Sequence, residues 1–294
     1  MPTTPSLDPA WLDREYNNRA LVPEHVDIFA RWARDSAVAR QAPGALIDVP
    51  YGSGAGEMLD IFPAEGGGAA PAPVLFFIHG GWWRSLDKAD HSFVAPPFTR
   101  KGACVVMPNY ALCPAVTIPH ITLQMVQALA WTFRHIAAHG GDPRRITVIG
   151  HSAGGHLASM LMNCSWQLVG ADLPADLPRN GMTISGVHDL HPVMHTPFVQ
   201  TSLGITPQQV AMASPARLPA PRLRNRRGQI EAFAGGIESS EFRRQTRILQ
   251  QAWGHKVVPV CEELPGLNHF TVVDALADPA HRLHARALAL LGLT

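Results

Sequence analysis

The stretch Gly150-His-Ser-Ala-Gly154 places a serine between two glycines. An apolar, largely β-branched run over residues 146–149 precedes it and predicts a buried strand. An apolar run typical of a helix follows through Met162. A strand that turns sharply into a helix is the context in which G-x-S-x-G presents a nucleophile. The glycines lack Cβ atoms, so the two elements can approach closely while Ser152 is forced into a strained conformation. Ser152 is therefore the predicted nucleophile.

A serine hydroxyl becomes reactive when a base accepts its proton and a carboxylate orients that base. In folds with this elbow the chain order is nucleophile, acid, histidine, so both partners should follow Ser152. His269 is the predicted base because it lies in a loop after the last predicted strand and ahead of a helix. His255 precedes that strand, at its wrong end, and His281 and His284 lie in the last predicted helix.

The predicted acid is Glu238, which comes just past the end of the predicted strand 230–234. Asp189 follows the preceding predicted strand, and Glu241 is three residues into a predicted helix. The competing interpretation of Glu238 is a carboxylate near a helix N-terminus, stabilised by the helix dipole alone.

Acyl transfer also requires backbone N–H groups that point at the developing oxyanion. Ala153 follows the nucleophile and is predicted to supply one of these donors. The loop after the third predicted strand carries His79-Gly-Gly-Trp-Trp83, and we predict further donors at Gly81 and Trp82. Trp83 and Tyr110 are predicted to line the substrate pocket.

His188, His191 and His195 form a second group of residues that could do chemistry. Histidines three and four residues apart on one helix face could bind zinc. Pro192 interrupts a helix through them, and the H-E-x-x-H pattern is absent from the sequence. We therefore predict no metal site and no cofactor, and we place His188 in the substrate pocket.

Short apolar runs alternate with helical patterns along most of the chain. The predicted strands are 46–49, 58–62, 74–78, 104–107, 146–149, 182–185, 230–234 and 257–260, and the predicted helices lie within 7–42, 121–138, 241–253 and 279–291. This alternation predicts an α/β fold with a mostly parallel sheet covered by helices on both faces.

Residues 187–228 interrupt this alternation and are too long for an ordinary connection. We predict that they and residues 1–43 form a small cap on a single domain spanning residues 1–294. Five arginines lie in the second segment, at positions 217, 222, 224, 226 and 227. Aromatic residues do not interleave with them, so they indicate a solvated surface rather than a nucleic-acid site.

Composition restricts the class of protein further. The formal net charge of +1 gives no general attraction to nucleic acid, and no apolar run approaches the ~20 residues of a membrane span. The first residues lack the charged and then apolar layout of a signal peptide. Four scattered cysteines without a C-x-x-C pair indicate free thiols, so a cytoplasmic location is expected. The expected partner is a small-molecule substrate, and a homodimer is compatible with the sequence.

Taken together, these motifs resemble the α/β-hydrolase superfamily in its hormone-sensitive-lipase-like branch, and more closely the arylformamidases (kynurenine formamidases) of the serine-hydrolase type. The residues that carry the likeness are Glu15-Tyr-Asn-Asn-Arg19, His79-Gly-Gly-Trp-Trp83, Asn109-Tyr-Ala-Leu-Cys-Pro114, Ser185-Gly-Val-His-Asp-Leu190, Glu238-Ser-Ser-Glu-Phe-Arg-Arg-Gln245 and Asn268-His-Phe270.

The resemblance implies a triad at Ser152, Glu238 and His269 and hydrolysis of the formamide of N-formylkynurenine. Animal arylformamidases carry Asp where this chain has Glu238, which implies a bacterial-type subgroup. A general short-chain carboxylesterase with the same triad remains an alternative. A non-catalytic binding protein is disfavoured because such proteins usually lose a triad member.

Overall fold

The computed structural model describes residues 6–54, 56–66, 70–222 and 228–293. Within these ranges one sheet is built from β1 (Leu46–Pro50), β2 (Met58–Phe62), β3 (Ala72–Ile78), β4 (Cys104–Pro108), β5 (Gly141–His151), β6 (Asn180–Ile184), β7 (Gln229–Gly235) and β8 (Cys261–Leu264). Their order is β1-β2-β4-β3-β5-β6-β7-β8. β2 runs antiparallel to both of its neighbours, and the remaining pairs are parallel. The predicted α/β-hydrolase architecture is confirmed.

The centre of the sheet is buried on both faces. β3 is buried along its whole length. Val74, Phe76 and Ile78 point into one hydrophobic core, while Leu75 and Phe77 point into a second core on the opposite face. Successive side chains of a strand alternate between faces, so an entirely apolar strand serves two layers of helices.

The strand predicted at 257–260 is wrong by several residues, because the last strand begins at Cys261. Val257 and Val258 instead close the turn after the preceding helix, where both N–H groups donate to the carbonyl oxygen of Gly254. Pro259 has no N–H and cannot donate to a ladder. The β-branched residues are buried, but the backbone there does not form a continuous strand.

Helices cover both faces. They are α1 (Pro9–Tyr16), α2 (Asn18–Leu21), α3 (His25–Ala39), α4 (Ala95–Thr99), α5 (Ile118–His135), α6 (Ala153–Met162), α7 (Trp166–Val169), α8 (Leu190–Met194), α9 (Pro197–Leu203), α10 (Pro207–Ala213), α11 (Ser240–Trp253), α12 (Thr271–Ala277) and α13 (Arg282–Leu291), with 3-10 helices at Lys88–Val94, Ile136–His139 and Pro215–Arg217. Residues of α5 and α6 fill one core, and residues of α3, α4, α12 and α13 fill the other. α4, α7 and α12, and also α8, α9 and α10 within residues 187–228, were not predicted. Each has seven residues or fewer, too short for a clear helical periodicity.

Helices of the two segments predicted to form a cap contact each other. α1 packs against α8, α9 and α11. The N–H of Phe198 in α9 donates to Asp13 Oδ1 over 3.1 Å, and the hydroxyl of Tyr16 donates to Glu241 Oε2 over 2.7 Å. α3 packs instead against the 3-10 helix Lys88–Val94, and its residues Arg31 and Trp32 donate hydrogen bonds to Asp274 of α12.

Of the five arginines predicted at the surface of the cap, Arg222 is exposed and Arg217 is an exposed residue that bridges to Asp189 over 2.7 Å. Arg224, Arg226 and Arg227 lie outside the described residues. Within the described ranges, no helix combines the length and apolar character that crossing a membrane requires.

Candidate active site

Ser152 lies at the sharp turn where β5 ends and α6 begins. Its backbone adopts φ 55° and ψ −117°, which side-chain-bearing residues rarely adopt. A Cβ on Gly150 would lie 2.1 Å from the carbonyl oxygen of Gly154, and a Cβ on Gly154 would lie 2.1 Å from that of Ile78. Only glycine permits these approaches, so the two glycines allow the turn that strains Ser152, as predicted.

The three residues predicted as a triad are brought together in one chain of hydrogen bonds. Ser152 Oγ lies 3.1 Å from His269 Nε2, and His269 Nδ1 lies 2.7 Å from Glu238 Oε2. All three side chains are buried. If Nδ1 donates its proton to Glu238, Nε2 presents a lone pair to the serine hydroxyl. Such an arrangement can remove the serine proton and stabilise the imidazolium that results.

The other carboxylates considered from the sequence do not contact His269. Asp189 accepts a hydrogen bond from the N–H of His191 at the start of α8 and forms the ion pair with Arg217. Glu241 is buried against Arg244, at 2.6 Å, and against the Tyr16 hydroxyl. Both carboxylates therefore stabilise the cap and α11.

Ser185, which the sequence analysis missed, holds the second oxygen of the acid. Glu238 Oε1 accepts hydrogen bonds from Ser185 Oγ and from the N–H of Gly235, both at 2.5 Å. Ser185 directly follows β6 and has φ 51°. β6 lies between the strand that precedes Ser152 and the strand that precedes Glu238, so a polar residue at the carboxyl end of β6 was the signal available in the sequence.

The loop that follows β3 packs directly against the nucleophile. Gly81 has φ 118°, and a Cβ added there would lie 1.9 Å from the carbonyl oxygen of Ser85. Trp82 and Trp83 both have φ 53°. A Cβ on Gly80 would lie 3.1 Å from Ser152 Cβ. The predicted donors of Gly81 and Trp82 therefore belong to a strained turn beside Ser152, and the N–H of Ala153, the first residue of α6, has no intrahelical acceptor.

The buried rings of His79 and Tyr110 pack next to this loop. Tyr110 stacks on His79 with ring centroids 4.3 Å apart and planes 6° apart, and its hydroxyl donates to the His79 carbonyl over 3.0 Å. His79 Nε2 lies 3.0 Å from Asn109 Oδ1, and Asn109 Nδ2 donates to Asp87 over 2.6 Å. Burial lowers the pKa of His79, which favours the neutral ring.

A cavity of about 500 Å³ opens beside the histidine of this site. It is lined by Asn17, Asn18, Arg19, Phe29, Gly81, Trp82, Arg84, Ser85, Leu86, Phe198, Ser202, His269 and Phe270. Four of these residues are aromatic. The walls come from α2, α3, α9 and the loop after β3, so the cavity lies between the cap and the sheet edge.

The three residues predicted to line the substrate pocket lie in the interior instead. Trp83 is fully buried, with its ring edge-on to His156 at 5.0 Å. Tyr110 is covered by its stacking on His79. His188 is buried between Thr183 and Gln245, at 3.1 Å and 2.8 Å. Burial lowers the pKa of His188 to about 3, so it is a neutral core histidine.

The fold separates His188 from His191 and His195. Pro192 lies in the first turn of the short helix α8, which spans only Leu190–Met194, so no helix runs from His188 to His195. His191 and His195 have ring centroids 5.0 Å apart, while His188 is buried under Gln245. Among the described residues, no group of three His, Cys, Asp or Glu side chains is arranged to hold a metal ion.

This chain is similar in sequence and fold to known hydrolases. The family described as BD-FAE matches residues 59–171. The chain is 28% identical to kynurenine formamidase from Salmo salar over 259 residues, which cover 86% of this chain and 84% of that protein. It is 38% identical to the esterase LipQ from Mycobacterium tuberculosis over 118 residues, which cover 38% of this chain and 28% of that protein. A solved structure from Silicibacter sp. TM1040, provisionally named a thioesterase, is 31% identical with a TM-score of 0.78, covering 93% of this chain and 97% of that one.

Proposed function

Because this chain belongs to the α/β-hydrolase superfamily and is an enzyme of that fold, we propose that it is a serine hydrolase of aryl formamides, with N-formylkynurenine as the first substrate to test. Short-chain aryl esters would be secondary substrates. The observation that carries the proposal is the hydrogen-bonded chain from Ser152 through His269 to Glu238, buried beside an aromatic-lined cavity.

In the proposed reaction, Ser152 Oγ attacks the formyl carbon while its proton passes to Nε2 of His269. The imidazolium then gives this proton to the anilide nitrogen, the C–N bond breaks, and the aryl amine leaves. A formyl ester remains on Ser152. Water, deprotonated by His269, attacks this ester, and formate leaves as Ser152 regains its proton. Glu238 keeps the proton on Nδ1 throughout and stabilises the charged ring.

The negative oxygen formed in each step requires donors that are already in place. We propose the N–H groups of Gly81, Trp82 and Ala153 for this role. The support is the tight turn at Gly81, the contact of the loop with Ser152, and the position of Ala153 as the first helical residue.

The cavity favours a small acyl group and a flat leaving group. The Trp82 ring packs edge-on against Tyr16, Phe198 and Phe242, with centroids 5.8 to 6.0 Å apart, so it cannot easily move aside for a long acyl chain. Aromatic contacts would contribute about 0.5–1.5 kcal/mol beyond burial to binding of an aryl group.

A general short-chain carboxylesterase is the second candidate. It is favoured by the 38% identity to esterase LipQ, since formamide and ester hydrolysis require the same three residues. That match covers 38% of this chain, whereas the kynurenine formamidase match covers 86%. The longer match supports the formamidase.

The test compares kcat/KM for N-formylkynurenine, p-nitrophenyl acetate and p-nitrophenyl octanoate, with Ser152→Ala as the background. We expect release of kynurenine and a preference for acetate over octanoate. Faster turnover of octanoate, with no kynurenine released, would assign the protein to the carboxylesterases.

A further inference from the structure

Two arginines face the cavity. Arg84 donates through Nη1 to the carbonyl oxygen of Phe198 over 2.8 Å and to Ser202 Oγ over 3.0 Å, and its guanidinium carbon lies 5.4 Å from the Phe198 ring centroid. Arg19 stacks in the same way on Phe29, at 5.5 Å, and its Nη2 donates to Ser85 Oγ over 3.5 Å. Aromatic stacking fixes the plane of a guanidinium, and each group has further N–H donors that a ligand can use.

Neither guanidinium is neutralised by the protein. Among the described residues, Arg19 and Arg84 form no ion pair with a carboxylate, and no Asp or Glu lines the cavity. Partial burial lowers the pKa of Arg84, and the like charge of Arg19 lowers it further. Two cations held towards one cavity destabilise the empty protein, which is typical of a site that binds an anion.

On the basis of the proposed function, we infer that Arg19 and Arg84 bind a carboxylate carried by the leaving group of the substrate. If the acyl group is formyl, it has one carbon and fills little of the 500 Å³ cavity. The leaving group must then occupy the remainder, where the arginines and the aromatic walls lie. The substrate class is thus an aryl formamide or short aryl ester whose aryl portion bears a carboxylate.

Planar guanidinium groups suit a carboxylate, since each can donate two parallel N–H bonds to its oxygens. Asn18 provides a third, independent indication that a ligand binds in this cavity. It lines the cavity and is buried, and within the described residues its side-chain nitrogen has no hydrogen-bond partner. Buried amides left unpaired are rare in proteins.

The experiment uses two pairs of substrates, and in each pair only one member carries a carboxylate. One pair is N-formylkynurenine and its carboxamide, which keeps the α-ammonium group. The other pair is 3-(4-acetoxyphenyl)propanoate and 4-ethylphenyl acetate. The wild-type enzyme should prefer the member with the carboxylate in each pair, and we call this the charge preference.

Arg84→Gln should lower kcat/KM for the members with a carboxylate by about 10- to 100-fold, mainly through KM, because it removes a charged hydrogen-bond donor. The members without a carboxylate should change little, and Arg84→Lys should keep part of the preference. Arg19→Gln should act in the same direction. Arg100→Gln, an exposed arginine outside the cavity, makes the same change in net charge and should not alter the preference.

The outcomes separate this inference from the proposed function. If the ester pair shows the charge preference but neither formamide is cleaved, the formamidase proposal fails and the carboxylate site stands. If formamides are cleaved with no charge preference, or if Arg84→Gln slows both members of each pair equally, the carboxylate site is refuted.

Discussion

Replacing Glu238 by Gln tests whether this carboxylate sets the proton position on His269. Glu238 Oε1 accepts from the N–H of Gly235 at 2.5 Å, and this donor cannot be reversed. The oxygen of a Gln side chain would therefore stay on Gly235, and its NH₂ group would face His269 Nδ1. That arrangement stabilises the ring with its proton on Nε2, where it cannot accept the proton of Ser152.

The size of the expected fall in kcat follows because His269 can no longer act as a base while the protein stays folded. A tautomer of this kind lowers kcat by about 10⁴-fold in a serine triad, which is equivalent to ~5.5 kcal/mol of transition-state stabilisation. KM should remain close to that of the wild type because Glu238 does not line the cavity.

The assay is steady-state hydrolysis of p-nitrophenyl acetate, whose turnover does not depend on the formamide proposal. Asp189→Asn is the matched control, since Asp189 pairs with Arg217 and does not contact the histidine. A folded Glu238→Gln variant that keeps most of its kcat, with a crippled Asp189→Asn variant, would show that the carboxylate was chosen wrongly.

Four further changes probe the same site and the core. Ser152→Ala should lower kcat by roughly 10⁴–10⁶-fold, and a serine-directed phosphonate should label Ser152 alone. Gly81→Ala should lower kcat by about 10²-fold, because its Cβ would collide with the loop that carries the proposed oxyanion donors. Ser185→Ala should lower kcat by about 10-fold by removing one charged hydrogen bond to the acid. Lowering the pH from 7.5 to 5 should reduce the free energy of unfolding, and His188 should account for about 2 kcal/mol of this reduction. The pKa of His188 is about 3 in the folded protein and about 6.5 in the unfolded chain, so at pH 5 only the unfolded chain binds the proton.

Each of these has its own check. Gly102→Ala is the control for Gly81→Ala, because Gly102 also has positive φ, at 87°, but a Cβ there meets nothing within 4 Å. If kcat falls equally in both variants, the cause is backbone strain at a positive φ and not displacement of the loop that follows β3. For Ser152→Ala and Ser185→Ala, thermal melting must show a folded protein, and near-normal kcat in either would contradict its assigned role. Urea unfolding of the wild type and of His188→Asn at both pH values measures how much His188 contributes to the pH dependence of the free energy of unfolding. If that pH dependence is the same in the variant, His188 does not contribute to it.

The sequence by itself was sufficient to predict Ser152, His269 and Glu238 as a group of residues that meet in the fold. The elbow at Ser152 rests in part on the close approach of Gly150 to Gly154, four positions apart, and G-x-S-x-G between strand and helix signals is sufficient to predict it. Glu238 and His269 are distant in sequence, but parallel strands bring their carboxyl ends to one edge. The chain order therefore left only a few candidates for the acid and the base after Ser152.

Tertiary structure decided which side chains face the cavity. Trp82 and Trp83 are adjacent and have the same φ, yet Trp82 lines the cavity and Trp83 is fully buried. Ser185 became a partner of Glu238 only through the pairing of β6 with β7. Local sequence predicts backbone conformation through short-range sterics. The direction in which a side chain packs depends on elements that are distant in the chain, and for that reason only the folded structure brought Arg19 from the N-terminal segment beside the loop after β3.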